Sequence, residues 1–238
     1  MGHRGAAGHA PENTLASIRA AARAGASWVE VDVMLSGDHV PLLFHDDKLD
    51  RLAGIDGLMA ETPLAAATAL DVGSSFAPAF AGETVPALAA AIDLVLALGL
   101  HPNLEIKPTP GRDVETALRA LDVAADRWPG ERPPPFISSF SRMSLAAAMA
   151  RQPDWPRGLI AFKLPEDWQT ALQALDCVSI HLSETHLTRD QAAAVKAAGY
   201  QVAAFTVNDP DRARTLMTWP VDCLISDVPD EISSALGQ

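Results

Sequence analysis

Eight times along this chain a short β-branched or aromatic run gives way to an Ala/Leu-rich stretch of helical period, and that alternation confines the fold to βα units repeated around a parallel sheet. The expected strands fall at residues 1–4, 28–35, 102–107, 135–139, 158–161, 177–181, 200–207 and 223–226, each but the last followed by a helix that leads to the next. Eight such units in 238 residues predict an α/β fold, a (β/α)8 TIM barrel at the compact end of its range, with residues 1–238 forming one domain. A core of this size needs no disulfide or structural metal to hold it together.

The helix ends are readable. Asn13 is expected to cap a helix that puts Leu15, Ile18 and Ala22 on one face and stops near Gly25. Thr188 and Gln191 have capping-box spacing, with Gly199 ending that helix, and Asp227-Val228-Pro229 is expected to start the last one.

Two segments break the alternation. Only Ser36-Gly37-Asp38-His39 separate the strand at 28–35 from the apolar run Val40 to Phe44, and four residues cannot make a parallel crossover. The two runs must form an antiparallel β-hairpin extension, which brings His45 back beside Glu30 and Asp32. Residues 46–84, with Gly54, Gly57, Gly73 and Gly82 and weak helical signals near 63–70, form an insertion after the second barrel strand, too long for an ordinary connection. Long βα insertions shape active sites, and Phe76 and Phe80 are placed either at the site's entrance or in packing the insertion onto the barrel.

Lys and Arg number 18 against 30 Asp and Glu, a net charge of −12 with histidine neutral, and the chain contains no basic block. Nucleic acid is therefore excluded as a partner, because its binding draws on clustered cations that displace condensed counterions. Cys177 and Cys223 lie far apart in apolar runs and read as buried thiols of a reducing compartment. No stretch approaches about 20 uninterrupted apolar residues, and the first residues lack a signal peptide's hydrophobic region, so the expected location is cytoplasmic with no stable membrane anchoring.

In Val29-Glu30-Val31-Asp32-Val33 the valines take one face of a strand and the acids the other. With the valines against the helices, both carboxylates point into the barrel, and the same alternation in Leu104-Glu105-Ile106-Lys107 adds Glu105 and Lys107. Crowded buried carboxylates resist ionisation unless a cation compensates them. A buried salt-bridge network with Lys107 would neutralise one acid and leave two. Three carboxylates instead suit a divalent metal ion, Mg²⁺ or Ca²⁺, whereas zinc would recruit His or Cys. His3 and Arg4 end the first strand and His45 and Asp46 end the returning hairpin strand, so two histidines and an arginine face the metal from the catalytic rim, as general acid–base chemistry on a phosphoester requires. His9, His39, His101 and His186 are assigned to loops or packing.

Taken together, His3-Arg4-Gly5, Pro11-Glu12-Asn13-Thr14, Glu30-Val31-Asp32-Val33, Phe44-His45-Asp46, Leu104-Glu105-Ile106-Lys107, Ser138-Ser139-Phe140, Phe205-Thr206-Val207-Asn208 and Ile225-Ser226-Asp227-Val228-Pro229 resemble the glycerophosphodiester phosphodiesterase family, in its cytosolic bacterial branch. The resemblance implies metal-dependent hydrolysis of a small-molecule glycerophosphodiester to sn-glycerol 3-phosphate and an alcohol. It implies metal ligation by Glu30, Asp32 and Glu105, acid–base catalysis by His3 and His45, and phosphate binding by Arg4 and Lys107. His181, at a strand end, is a candidate substrate contact, and Phe205, where the family commonly carries tryptophan, is a candidate pocket wall. The family's first strand has several apolar residues before His-Arg-Gly; here only Met1 and Gly2 precede His3, so this strand is very short or the natural start lies upstream. Two alternatives stand beside hydrolysis: a lyase that stops at a cyclic phosphate, and a non-catalytic phosphodiester-binding barrel.

Overall fold

The computed structural model describes residues 1–237 of the chain. Its strands are β1 Trp28–Leu35, β2 Pro41–Leu43, β3 His101–Ile106, β4 Phe136–Ser139, β5 Arg157–Ala161, β6 Ser179–Ser183, β7 Gln201–Phe205 and β8 Cys223–Leu224. They form one curled sheet in the order β2-β1-β3-β4-β5-β6-β7-β8, parallel throughout except for β2, which runs antiparallel to β1 through Val33↔Leu43, Met34↔Leu42 and Leu35↔Pro41. Gly2 bridges the two edges of the barrel, pairing in parallel with Val29 on one side and Ser226 on the other. This segment takes the place of a barrel strand, held by hydrogen bonds from Gly2 N to Trp28 O at 3.0 Å and His3 N to Ser226 O at 2.7 Å.

Alternation along the strands divides the interior. Val29, Val31 and Val33 of β1 and Leu104 and Ile106 of β3 are buried against the helices, which leaves the residues between them facing into the barrel. The helices answer with one apolar face each: Asp113–Arg127 buries Thr116, Ala117, Ala120, Leu121 and Ala124, at helical spacing.

Thr188 and Gln191 form the expected capping box. At the first helix, Leu15–Arg23, the expectation is corrected by one residue: Thr14, in extended backbone, is the cap and shares a capping box with Ser17. Asn13 has φ 55 and sends its side chain to Asp32 instead. Both residue types cap helices, and the left-handed backbone at Asn13 is incompatible with the cap geometry. The last helix, Pro229–Leu236, starts as expected at Asp227-Val228-Pro229 with proline in its first turn, and its flanking Val228 makes no side-chain capping bond.

Glycine is required at position 5, where φ is +90 and a Cβ would lie 2.2 Å from Ser17 Oγ. The loop after His3 and Arg4 therefore lies directly on the first helix. Residues 46–84 contain two four-residue helices, Asp50–Ala53 and Leu64–Ala67, and build a second apolar cluster in which Leu49, Met59, Ala67 and Val72 meet Met34 and Phe44 of the hairpin. Phe80 packs against the main core and meets Phe76 edge-on at 5.4 Å, so this pair fastens the insertion. Among the described residues no helix is long and apolar enough to cross a membrane.

Candidate active site

The parallel register of β1 and β3 sets Asp32 directly beside Glu105, and Glu30 lies two residues back on the same face. Ligand atoms of Glu30, Asp32 and Glu105 all lie within 4.8 Å of one another. Glu30 and Asp32 are 3% and 2% exposed, and Glu105 is half-buried. Asn13 fixes Asp32 from both sides, donating Nδ2 to Oδ2 at 2.8 Å and accepting the Asp32 backbone N–H on Oδ1 at 3.0 Å. Oε1 of Glu30 is buried without any partner.

Arg4 lies across this cluster. Its φ of 47 is unusual for a side-chain-bearing residue and belongs to the tight turn that also needs Gly5. In that conformation its backbone N–H donates to Glu30 Oε2 at 2.9 Å and Nη1 donates to Glu12 Oε1 at 2.7 Å, while Nε lies 3.2 Å from Asp32 Oδ2 without hydrogen-bond geometry. Lys107 follows β3 directly and is half-buried, anchored through its backbone N–H to Val33 O at 3.0 Å.

Each rim histidine is tied through Nδ1 to a carboxylate. His3 pairs with Asp227 Oδ1 at 2.7 Å and His45 with Asp46 Oδ1 at 2.6 Å. Hydrogen bonding at Nδ1 fixes ring orientation and leaves Nε2 for chemistry; His3 Nε2 lies 4.0 Å from Glu30 Oε2. Asp227 is in turn held by Asn208, whose Nδ2 donates to Oδ2 at 2.5 Å.

The electrostatics test whether this donor set fits a cation. Burial, then Asp32 and Glu105, pushes the Glu30 carboxyl well above its ordinary range. Burial, then Asp32, raises Glu105 to about 8, against the opposing pull of Lys107 and Arg4. The protein's own cations therefore do not compensate the cluster. An unpaired buried oxygen, three convergent oxygen donors and uncompensated negative charge fit a hard divalent cation. Burial lowers the His45 pKa; Asp32 opposes the fall and Arg4 adds to it. The Asp46 carboxyl, which burial alone would raise, is held near 2 by hydrogen bonds from Arg51 and His45.

Of the sequence candidates, His3, Arg4, Glu30, Asp32, His45, Glu105 and Lys107 converge here. His181 stands inside β6 rather than at its end, because the strand runs on to Ser183; it is 4% exposed, with Nε2 3.0 Å from Ser179 Oγ, and its ring stacks on Phe136 at 5.6 Å. Together with Asn103 and Phe205 it lines a small cavity, about 20 Å³, beneath His3, Glu30 and Glu105. Phe205 also meets Phe140 and Phe162 at 6.1 and 6.2 Å, an aromatic cluster at neighbouring strand ends in which Phe162 is 63% exposed. On the other side of His3 and Arg4 a polar cleft of about 430 Å³ runs past Glu12, Asn208, Asp227 and Glu231.

Sequence reasoning missed the hold of Asn13 on Asp32, the part Asp227 plays, and the roles of Arg51, Phe140 and Phe162. Asp46 had a signal, since it follows His45 directly. Asp227 stood within the Ile225 to Pro229 motif, but nothing in the sequence marked its pairing with His3, 224 residues away.

Residues 3–231 match the model of the glycerophosphoryl diester phosphodiesterase family. The chain is similar to a phosphodiesterase of Oleispira antarctica whose structure holds the product sn-glycerol-3-phosphate, with a TM-score of 0.96 and 42% identity covering 100% of this chain and 96% of that one. It is 28% identical over 233 residues to a glycerophosphodiester phosphodiesterase of Caldanaerobacter subterraneus, covering 98% of this chain and 95% of the relative. To a glycerophosphodiester phosphodiesterase of Bacillus subtilis it is 27% identical over 248 residues, 97% of this chain and 83% of the relative.

Proposed function

The chain belongs to the glycerophosphoryl diester phosphodiesterase family, and on that premise we propose that it is a metal-dependent phosphodiesterase that hydrolyses small glycerophosphodiesters to sn-glycerol 3-phosphate and an alcohol. The observation that carries this reading is the convergence of Glu30, Asp32 and Glu105, with one buried oxygen lacking any partner, beneath Arg4 and between two carboxylate-tethered histidines. The product named for the Oleispira antarctica relative supports the substrate class.

In this reading Glu30, Asp32 and Glu105 hold the cation. When bound, Mg²⁺ or Ca²⁺ supplies the positive charge that offsets the carboxylates and polarises a phosphoryl oxygen. Arg4 presents a planar fork whose backbone and Nη1 are already fixed by Glu30 and Glu12, so it meets phosphate oxygens with little ordering left to do. Lys107 adds a point charge against negative charge that develops in the transition state. In a protein of net charge −12 these cations reverse the local potential that would otherwise repel an anionic diester.

His3 and His45 exchange protons through Nε2, one removing a proton from the attacking oxygen and the other delivering one to the departing alcohol; Asp227 and Asp46 keep each Nδ1 engaged. His181 closes the floor below the carboxylates, and Phe205, with Phe140 and Phe162, forms an apolar wall for the part of the substrate away from phosphate. The machinery belongs to a single (β/α)8 domain with its hairpin extension and its insertion at 46–84. The reading puts the enzyme in the cytoplasm, where Cys177 and Cys223, both free, stay reduced.

The test is release of glycerol 3-phosphate from glycerophosphocholine by metal-stripped protein, with and without added Mg²⁺ or Ca²⁺, and with Glu30→Ala as control. Metal-dependent release that Glu30→Ala abolishes is the expected result. Release that persists in the stripped protein would overturn the metal's part, and a cyclic phosphate that accumulates without glycerol 3-phosphate would replace hydrolysis by a lyase reaction.

A further inference from the structure

Arg51 lies in the insertion, on the four-residue helix Asp50–Ala53, and is 46% exposed by side chain. Surface arginines of this kind usually make one loose ion pair of little consequence. Arg51 instead commits three N–H groups to two carboxylates: Nε to Asp46 Oδ2 at 2.5 Å, Nη1 to Glu12 Oε2 at 2.8 Å and Nη2 to Glu12 Oε1 at 2.8 Å.

Both carboxylates also hold a second partner, Glu12 through the same Oε1 that meets Arg51 Nη2 and Asp46 through its other oxygen. Glu12 Oε1 accepts from Arg4 Nη1 at 2.7 Å, and Asp46 Oδ1 holds His45 Nδ1 at 2.6 Å. One unbroken line of charge-assisted bonds therefore runs from Arg4 through Glu12, Arg51 and Asp46 to His45, and Arg51 is its joint. We propose that Arg51 is a positioning residue of the catalytic site, which sets Arg4 against the substrate phosphate and His45 in its working orientation at the same time. The proposal rests on the phosphodiesterase reading for what Arg4 and His45 do; the bond network itself does not depend on that reading.

The chemistry calls for arginine. Without a cation between them, Glu12 and Asp46 would repel and turn towards water, and each would release the group it holds. Lysine offers one compact ammonium, whereas the guanidinium meets Glu12 end-on with its fork and still has Nε free for Asp46. The Glu12 and Asp46 carboxyls are both held below the ordinary range, with Arg51 the leading hydrogen-bonding cause in each, so both stay anionic acceptors at neutral pH. Arg51 also links the two breaks in the βα alternation: the insertion supplies it and the hairpin supplies His45, so the charged line runs alongside the apolar cluster that the two segments already share.

A residue that merely pins the insertion would change stability and leave the kinetic constants of the folded enzyme alone. The experiment compares wild type, Arg51→Gln and Arg51→Lys by kcat and KM on glycerophosphocholine, by Mn²⁺ binding in the absence of substrate, and by ¹⁵N NMR of the His45 imidazole. Expected are a kcat lower by about 10–100-fold in both variants and a KM raised several-fold through Arg4. Mn²⁺ affinity should stay at the wild-type value, because Arg51 touches none of Glu30, Asp32 and Glu105. The His45 spectrum should change from one tautomer with a hydrogen-bonded Nδ1–H to a mixture. Combining Arg51→Gln with Asp46→Asn should cost no more kcat than the worse single variant, since both break the same line.

Wild-type kinetic constants and an unchanged His45 tautomer in Arg51→Gln would overturn the proposal. Should the wild-type protein itself show no turnover, the phosphodiesterase reading fails, and the NMR comparison still decides whether Arg51 orients His45.

Discussion

The two ends of the barrel treat buried charge in opposite ways. At the N-terminal end Arg157, the first residue of β5, is 1% exposed and almost saturated: Nε donates to Leu175 O, Nη1 to the carbonyls of Gln152, Pro153 and Trp155, and Nη2 to Asp176 O and Oδ2. At the C-terminal side Glu30 is as deeply buried, yet one oxygen has no partner and its neighbours are two more acids. A buried charge with every bond made holds backbone in place; a buried charge left short of donors works against the fold and is retained for something that binds it. Burial alone does not separate structure from function here, and hydrogen-bond satisfaction does.

Charge removal at the two ends should therefore have opposite effects. The largest change is expected at the carboxylates. Glu30→Gln keeps the shape, removes one negative charge and converts an acceptor into an amide, so turnover should fall by roughly 10³-fold. Without metal, however, the variant should melt at the wild-type temperature or a few degrees above it, since the repulsion from Asp32 and Glu105 is relieved. Calorimetry with and without Mg²⁺ reads both halves. A metal-free Glu30→Gln that melts clearly below wild type would mean that the carboxylate stabilises the fold.

Arg157→Met should do the reverse. Several carbonyls lose their donors together, that of Leu175 on a fully buried bond and the others on partly buried ones, which costs about 3 kcal/mol, or roughly 6–12 °C in melting temperature for a chain of this size. The surviving folded enzyme should turn over at the wild-type rate. A stable Arg157→Met protein with reduced kcat would place Arg157 in the functional set and erase the distinction between the ends.

These two regions were unequally legible in the sequence. Strand alternation shows which way a side chain faces, and that sufficed for Glu30, Asp32 and Glu105, because parallel neighbours on one inward face must meet. It does not identify a partner. Asn13 carried a sufficient local explanation as a helix cap, and only the left-handed backbone at that position turns its amide to Asp32. Asp227 looked like the start of a helix, while its partner is at the other end of the chain. Arg51 lies in a segment with little periodicity, where hydrophobic pattern carries no information about orientation. Arg157 opens an apolar strand and offers nothing in the sequence to mark it as buried, since most arginines at such a position reach water. Binary pattern thus gave the barrel and the inward acids, and the charge network that orients them emerged only in three dimensions.

His181 lies on the border between the two regimes, and its titration sharpens where that border runs. One ring nitrogen meets Ser179 Oγ and the other, Nδ1, is buried without a partner, as is Asn103 Nδ2 in the same layer. Burial lowers the His181 pKa to about 4, from about 6.5 in an unfolded chain. Between those values the unfolded state binds the extra proton and the native state does not, so the contribution of His181 to stability is complete above about pH 6.5 and is lost as pH falls towards 4. From pH 7 to pH 5 this amounts to about 2 kcal/mol. Urea unfolding at both pH values should show wild type losing about that much more stability than His181→Asn, in which every carboxylate still titrates. Equal losses would mean that a bound water or a neighbouring acid accepts the charged ring, and the polar layer beneath the carboxylates would then be as well satisfied as the Arg157 end.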